Sequence, residues 1–177
     1  MSTFRRSLWA AAFAVATSFA PAAADDDPVI AKDGSKLSEW VAEYERNEGD
    51  SEKAQKGRSY AVWPIAESGH PKALAFIRTV LKNDPSAQVR DTALWEMSGL
   101  GPKAEPLLPE ATAALKDPDA EVRRSAATLL GSIGPAAKAV APDLLAMFKD
   151  SAQSNRVRVV IPRALVKVGA DPAAILP

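Results

Sequence analysis

The sequence predicts an all-α protein built as a stack of helical hairpins. Three observations support this prediction: a segment that recurs after 33 residues, apolar residues spaced three and four apart, and Gly-Pro steps that follow two of the apolar stretches. Spacings of three and four place side chains on one stripe of an α-helix. A unit of about 33 residues with two such helices cannot bury both stripes alone, so neighbouring units must stack.

The repeat is clearest in two segments of the chain. Residues 84–90 read DPSAQVR and residues 117–123 read DPDAEVR. The glycine that follows the first helix of each unit extends the register to four units, at Gly69, Gly101, Gly134 and Gly169. An arginine stands eleven residues before each of these glycines, at Arg58, Arg90, Arg123 and Arg158.

Start and stop signals predict where the helices of a unit lie. Asp117 is placed to cap a helix, and Pro118 suits the first helical position. Gly134 favours the left-handed backbone that ends a helix, and a second helix is expected to begin near Ala141. We therefore expect two antiparallel helices in each unit, joined by a tight turn.

The pattern D-P-x-x-x-V-R-x-x-A-x-x-L-L-x-x-I-G-P at residues 117–135 resembles a HEAT repeat of the bacterial type found in phycobilin lyases. The resemblance is strong over residues 84–149, fair over 51–83 and partial after 150. It implies an armadillo-like α-solenoid of about 3.5 hairpins. It also implies a structural ladder in which the arginine bonds to the Asp-containing turn, formed by Arg58, Arg90, Arg123, Arg158, Asp84 and Asp117.

Two pairs in this ladder follow from the resemblance, Arg90 with Asp84 and Arg123 with Asp117. Arg58 and Arg158 lack an Asp-Pro pair six residues upstream, so their roles stay open at this point.

The domain organisation follows from the repeat register. An N-terminal capping helix is predicted over residues 36–47, after a flexible lead-in at 25–35. The repeats are predicted at 51–83, 84–116 and 117–149, with a half repeat at 150–177. Pro64 and Pro162 are each expected to kink or restart their helix.

The first 24 residues have the layout of a secretory signal peptide. Arg5 and Arg6 form a positive start, residues 8–20 are mostly apolar, and three alanines end at Ala24. We expect cleavage after Ala24 and a periplasmic or secreted mature protein. The general secretory route is favoured over twin-arginine export, and an uncleaved helix or membrane anchor is the alternative.

Composition argues against several functional classes. The chain has 22 basic and 22 acidic residues, no cysteine and one histidine, His70. Cysteine-based catalysis and multi-histidine metal sites lack their residues, and a neutral chain lacks the basic groove that nucleic acid requires. His70 is expected to cap a helix or lie at the surface, and we expect no catalytic, cofactor or metal site.

Two places are candidates for binding a partner. Trp63 and Trp95 occupy equivalent positions in successive units, which suggests an aromatic hot spot, although both could instead pack against the cap or a neighbouring helix. At the C-terminal end we expect an exposed apolar patch that serves a dimer or a partner, unless a short terminal segment folds back over it. That patch is predicted to consist of Val157, Ile161, Leu165 and Val168.

The sequence favours a non-catalytic exported scaffold or adaptor that binds another protein through the solenoid surface. The alternative is a small-ligand-binding or chaperone-like accessory subunit of an enzyme. Neither hypothesis names the partner, requires a cofactor, or includes a membrane span in the mature form.

Overall fold

The computed structural model describes residues 27–171, and this part of the chain is helical apart from an isolated bridge between Val29 and Lys36. The predicted signal segment and the last six residues of the chain lie outside the described residues. The helices are α1 (Leu37–Arg46), α2 (Glu52–Ser68), α3 (Pro71–Asn83), α4 (Ala87–Ser98), α5 (Leu108–Ala114), α6 (Ala120–Ile133), α7 (Ala141–Lys149), α8 (Asn155–Arg158) and α9 (Ile161–Lys167).

The helices form two layers. One layer runs α1, α2, α4, α6 and then α8 with α9, each helix packed on the one before it. The other layer contains α3, α5 and α7, which pack against the first layer and hold the successive units together. This arrangement confirms the predicted all-α solenoid, and the hydrophobic core runs continuously between the layers.

The four glycines that set the repeat register all have positive φ angles. The values are 59° at Gly69, 58° at Gly101, 79° at Gly134 and 77° at Gly169. Glycine tolerates this backbone without the Cβ clash that other residues meet. Gly69, Gly101 and Gly134 therefore redirect the chain from the first layer to the second.

The connection between layers differs from the expected tight turn in two units. A 3-10 helix at Gly101–Leu107 joins α4 to α5, and another at Gly134–Val140 joins α6 to α7. In both, a proline follows the glycine near the start of the 3-10 helix. A proline lacks the N–H that an interior helical position requires, so it suits the opening of a new helix.

The cap of α6 is Asp119, and the assignment of this role to Asp117 was wrong. Asp119 Oδ1 accepts the backbone N–H groups of Glu121 at 2.8 Å and Val122 at 3.2 Å. Asp117 Oδ1 accepts the N–H of Asp119 at 2.9 Å, which closes the turn before the helix. The Asp-Pro step is thus a turn, and the helix begins two residues later than the sequence pattern suggested.

The two helix-interior prolines behave differently. Pro162 lies near the start of α9, and the chain restarts its helix there, as expected. Pro64 lies inside α2, which runs without interruption from Glu52 to Ser68. The helix therefore does not restart at Pro64, and Val62 and Ile65 on either side are fully buried, so their packing supports the continuous helix.

From Asp27 onward the predicted flexible lead-in is a hydrogen-bonded turn. Ile30 N–H donates to Ser35 O at 3.0 Å, and Leu37 N–H donates to Pro28 O at 2.9 Å. Asp27 Oδ1 accepts the backbone N–H of Ser38 at 3.0 Å in the first turn of α1. These bonds tie the segment to the helix that follows it.

Candidate interaction surface

Three large aromatic side chains stand on the outer side of the first layer. Tyr60 is 60% exposed, Trp63 is 48% exposed, and Trp95 is 49% exposed. Tyr60 and Trp63 lie three residues apart on α2, so they share one side of that helix. We call these three residues the aromatic face.

The aromatic face is held in place by contacts at both ends. Trp40 on α1 packs edge-on against Tyr60, with ring centroids 5.6 Å apart. At the other end, the Arg124 guanidinium of α6 lies 5.5 Å from the centroid of the Trp95 ring. Tyr60 and Trp95 therefore each have a packed neighbour while much of the ring stays open to solvent. The position equivalent to the two tryptophans is a half-buried threonine in the third unit and an exposed arginine in the fourth.

Two carboxylates lie beside the aromatic face. Glu67 follows Trp63 by one turn of α2 and is exposed, and Glu96 follows Trp95 on α4. Partial burial raises the pKa of Glu96, and the negative charge of Glu67 raises it further. No ion pair neutralises either carboxylate within residues 27–171, so this part of the surface carries unbalanced negative charge.

The arginine ladder lies away from the aromatic face and is built into the core. Arg58 and Asp84 are fully buried side chains, and Arg58 Nε donates to Asp84 Oδ2 at 2.8 Å. Arg58 Nη1 also donates to the carbonyls of Asn47 at 2.7 Å and Gly49 at 2.9 Å. Arg58 therefore links the end of α1 to the turn of the following repeat.

Tyr44 completes this buried cluster. Its hydroxyl donates to Asp84 Oδ2 at 2.6 Å, and its ring packs edge-on against Phe76. Burial raises the pKa of Tyr44 far above its usual range, and the nearby negative charge of Asp84 raises it further. The protonated form of the hydroxyl is thus favoured, and this form donates to the carboxylate.

The predicted pairs Arg90 with Asp84 and Arg123 with Asp117 both form, but through backbone carbonyls of the turn, and each arginine also reaches the next repeat. Arg90 Nη1 donates to the carbonyls of Asp84 at 2.8 Å and Pro85 at 3.0 Å, whereas its Nε donates to Asp117 Oδ2 at 2.9 Å. Arg123 repeats the pattern, with Nη1 on the carbonyl of Asp117 at 2.7 Å and Nε on Gln153 Oε1 at 3.0 Å. Each carboxylate closes its own turn and receives the arginine of the repeat before it.

The last arginine ends the ladder. Arg158 has a buried Nε with no hydrogen-bond acceptor among the described residues. The four arginines therefore share one register but not one set of partners.

The predicted apolar patch at the C-terminal end is wrong. Val157, Ile161 and Val168 are fully buried, and Leu165 is 1% exposed. The reason is that α9 packs against both α6 and α7, so the earlier unit covers the stripe that was expected to lack a partner. The apolar side chains that do face solvent at this end are Val159 and Val166.

A cleft of about 380 Å³ opens where α3 and α5 meet α4 and α6. Its wall carries charges of both signs, from Lys82, Arg90, Glu110 and Asp117, over an apolar floor that includes Leu94. Glu110 is nearly buried, and its Oε1 binds Lys82 Nζ at 3.1 Å and Arg78 Nε at 3.2 Å. The cleft thus has a mostly apolar lining, and the charges at its wall are paired with one another.

The histidine, which could in principle act in catalysis or bind a metal, has a structural role here. His70 caps α3, where its Nδ1 accepts the N–H of Lys72 at 3.2 Å. Residues 27–171 hold no group of three or more acidic, histidine or cysteine side chains that could bind a metal ion. Among these same residues no helix has the length and apolar character needed to span a membrane.

Sequence reasoning missed four members of this surface: Tyr60, Glu67, Glu96 and Arg124. The i, i+3 spacing of Tyr60 and Trp63 was a signal that could have added Tyr60 to the aromatic face. Arg124 and Glu96 had no such signal, because each acts on a residue of a neighbouring helix in the layer. Their contacts depend on how successive units stack.

Comparison with protein families decides the type of repeat. The model described as "HEAT repeat" matches residues 107–137. Residues 107–137 therefore match a HEAT repeat. The matched segment begins at α5, passes through the Asp117 turn, contains all of α6 and ends in the following 3-10 helix.

The HEAT match confirms the resemblance drawn from residues 117–135 and agrees with the stacked helical fold. It straddles the boundary that separates the predicted repeats 84–116 and 117–149, because a helical array can be divided after either helix of its hairpin. No curated protein matches the chain.

Proposed function

We propose that this HEAT-repeat protein is an exported, non-catalytic scaffold that binds another protein through its aromatic face. HEAT repeats generally mediate protein–protein interaction, which supports a protein partner. The observation that carries the proposal is the half-exposure of Trp63 and Trp95 at equivalent positions of successive repeats. Tryptophan and tyrosine dominate the binding energy of protein interfaces, and here they stand on a rigid helical layer.

Packing within the molecule does not require this exposure. The core beneath α2 and α4 is complete, with Val62, Ile65, Leu94 and Met97 fully buried. An exposed tryptophan costs hydration free energy that a partner would recover by covering it, at roughly 25 cal/mol per Å² of apolar area. The aromatic face is therefore better explained by a docked partner than by stability.

A capture experiment tests the scaffold. Purified protein immobilised on resin is compared with the variant Trp63→Ser/Trp95→Ser, using extracts of the producing cell's envelope. We expect a discrete protein to be retained by the native protein and lost with the double variant. The matched control is Lys138→Ala, an exposed position in the second layer, which should retain the same protein.

Two results would count against the scaffold proposal. One is retention that is equal for the native protein and the double variant, provided both give the same helical circular dichroism. The other is that neither the native protein nor any of the variants retains a protein from the extract.

Export is part of the same proposal and has its own test. The basic, apolar and small-residue regions of the first 24 residues support it. Amino-terminal sequencing of protein recovered from the periplasm or medium is expected to begin at Asp25. Recovery only from the cytoplasm with Met1 retained would contradict export.

The cleft supports a second candidate function, a small-ligand-binding accessory subunit. It combines an apolar floor with both charge signs at its wall, as ligand sites do. A thermal-shift screen tests it, with Ala113→Phe introduced to fill the cleft and Trp63→Ala as the control. A ligand that raises Tm in the native protein and in Trp63→Ala, but not in Ala113→Phe, would favour this function over the scaffold.

A further inference from the structure

The contact between Trp95 and Arg124 indicates which chemical group can bind at the aromatic face. The guanidinium lies 5.5 Å from the ring centroid, within the range of a cation–π interaction. Arg124 Nε also donates to Glu121 Oε2 at 2.7 Å, so a carboxylate holds the cation over the ring. Tryptophan, guanidinium and carboxylate thus form one arrangement at the junction of α4 and α6.

Trp63 occupies the same register one repeat earlier but receives no such cation. Arg124 stands ten residues before Gly134, and the residue ten before Gly101 is Asp91. Asp91 accepts a hydrogen bond from Ser125 Oγ at 2.5 Å, which directs it towards α6. Within residues 27–171 no arginine or lysine lies over the Trp63 ring.

The carboxylates that would hold a cation are nevertheless present at Trp63. Glu67 shares the exposed side of α2 with Trp63, and Glu96 comes from the adjacent helix α4. Helices α2 and α4 pack directly against each other, so the two carboxylates lie on neighbouring helices, and the charge of Glu67 adds to the raised pKa of Glu96. A positive charge placed there would remove the repulsion and gain a cation–π contact.

We infer that Trp63, Glu67 and Glu96 form a docking position for an arginine side chain in a basic segment of the partner protein. The guanidinium stacks on the indole and donates to the carboxylates, as Arg124 does at Trp95. Arginine fits better than lysine because its planar group stacks on an aromatic ring and presents several fixed donors. The inference rests on the proposed scaffold function and names the chemistry of its partner.

The experiment uses a defined peptide and does not depend on finding the partner. N-acetyl-Ala-Ala-Arg-Ala-Ala-amide is titrated into ¹⁵N-labelled protein, and the backbone amides of α2 and the indole N–H signals are followed. An analogue with citrulline in place of arginine keeps the shape and removes the charge. We expect the arginine peptide to shift the signals of α2, and the citrulline peptide to bind at least about fivefold more weakly.

Variants distinguish this position from a general attraction to negative charge. Trp63→Ala and Glu67→Gln/Glu96→Gln should each weaken the arginine peptide about fivefold. Trp63→Phe keeps a ring and should retain most of the binding, whereas Asp143→Asn, which removes an exposed carboxylate on α7, should leave binding unchanged. Circular dichroism and Tm establish that each variant is folded.

The outcomes separate the inference from the scaffold proposal. Equal binding of the arginine and citrulline peptides, or an equal loss in Trp63→Ala and Asp143→Asn, overturns the arginine position. If the arginine peptide does not bind but capture of the partner still requires Trp63 and Trp95, only the arginine position is rejected. If capture does not require these tryptophans either, both the arginine position and the scaffold proposal are rejected.

Discussion

At the scale of single residues, the buried pair of Arg58 and Asp84 is the part of the molecule least tolerant of change. Both side chains have lost all contact with water, and the arginine donates to four oxygens of three residues. Two charges removed from water are stabilised only while each has its partner and its hydrogen bonds. Removing one side of the pair leaves the other as an unpaired buried charge.

We therefore predict that Arg58→Met lowers the free energy of unfolding by about 3–5 kcal/mol. Urea denaturation followed by circular dichroism measures the loss. The control is Arg156→Ala, because the Arg156 side chain, which pairs with Glu121, is 79% exposed. Loss of this exposed ion pair should lower the free energy of unfolding by less than about 1 kcal/mol. Equal losses in the two variants would show that burial of the pair does not matter.

The carboxylates beside Trp63 give a pH-dependent prediction. Burial and the charge of Glu67 both raise the pKa of Glu96, so the folded state binds a proton at Glu96 more readily than the unfolded state does. Glu96 therefore lowers the free energy of unfolding at pH values above its folded pKa. This destabilisation disappears as the pH falls through that value. Glu67→Gln removes the charge but not the burial.

In Glu67→Gln we expect the pKa of Glu96 to fall towards its usual range without reaching it. Titration of the side-chain carboxyl carbons by NMR measures the change. Asp150 is the internal control, because its pKa is lowered by the N–H of Ala152 and the side chain of Gln153, far from Glu67 in the chain. An unchanged pKa of Glu96 would mean that burial alone raises this pKa.

At the scale of elements, the closest approach between helices is that of α6 and α9 at Gly131. A Cβ built on Gly131 would lie 2.9 Å from Ala164 Cα, which is backbone and cannot rotate away. The glycine therefore permits α9 to cover the fourth unit's apolar stripe. It explains why Ile161, Leu165 and Val168 are buried.

We predict that Gly131→Ala destabilises the protein, although alanine by itself favours a helix by about 1 kcal/mol over glycine. The control is Gly57→Ala in α2, where the added Cβ meets only the flexible side chain of Asn47. Urea denaturation should show a larger loss for Gly131→Ala than for Gly57→Ala. The reverse order would indicate that α9 moves freely on α6.

At the scale of the whole molecule, stability should vary along the stack. In a repeat array each unit contacts only its neighbours, so end units have fewer stabilising contacts than central ones. Helices α4 and α6 pack against neighbours on both sides, whereas α8 and α9 lie at the end of the described stack. Local opening therefore requires the least free energy at this end.

Native-state hydrogen exchange tests this gradient. We expect amides of α9 to exchange faster than those of α4 and α6, with α2 protected by its buried Arg58. Uniform protection across these helices would indicate that the stack opens only as one unit.

Local sequence determined the repeat register, the all-α fold and the glycines that turn the chain. These features depend on residues a few positions apart: apolar spacing selects a helical stripe, and glycine alone adopts positive φ at little cost. That is why the family match and the stacked helices agree with the sequence pattern. The presence of Trp63 and Trp95 at one register was also visible without coordinates.

Only the tertiary structure decided which repeat supplies the partner of each side chain. Arg90 meets the carboxylate of Asp117 and not that of Asp84, because the arginine projects towards the next unit in the stack. In the same way, Val157 and Ile161 are buried by earlier helices, and Arg124 covers Trp95 but no cation from the next helix covers Trp63. Periodicity places a side chain on a face of its own helix, but the neighbour that meets it depends on how the repeats pack.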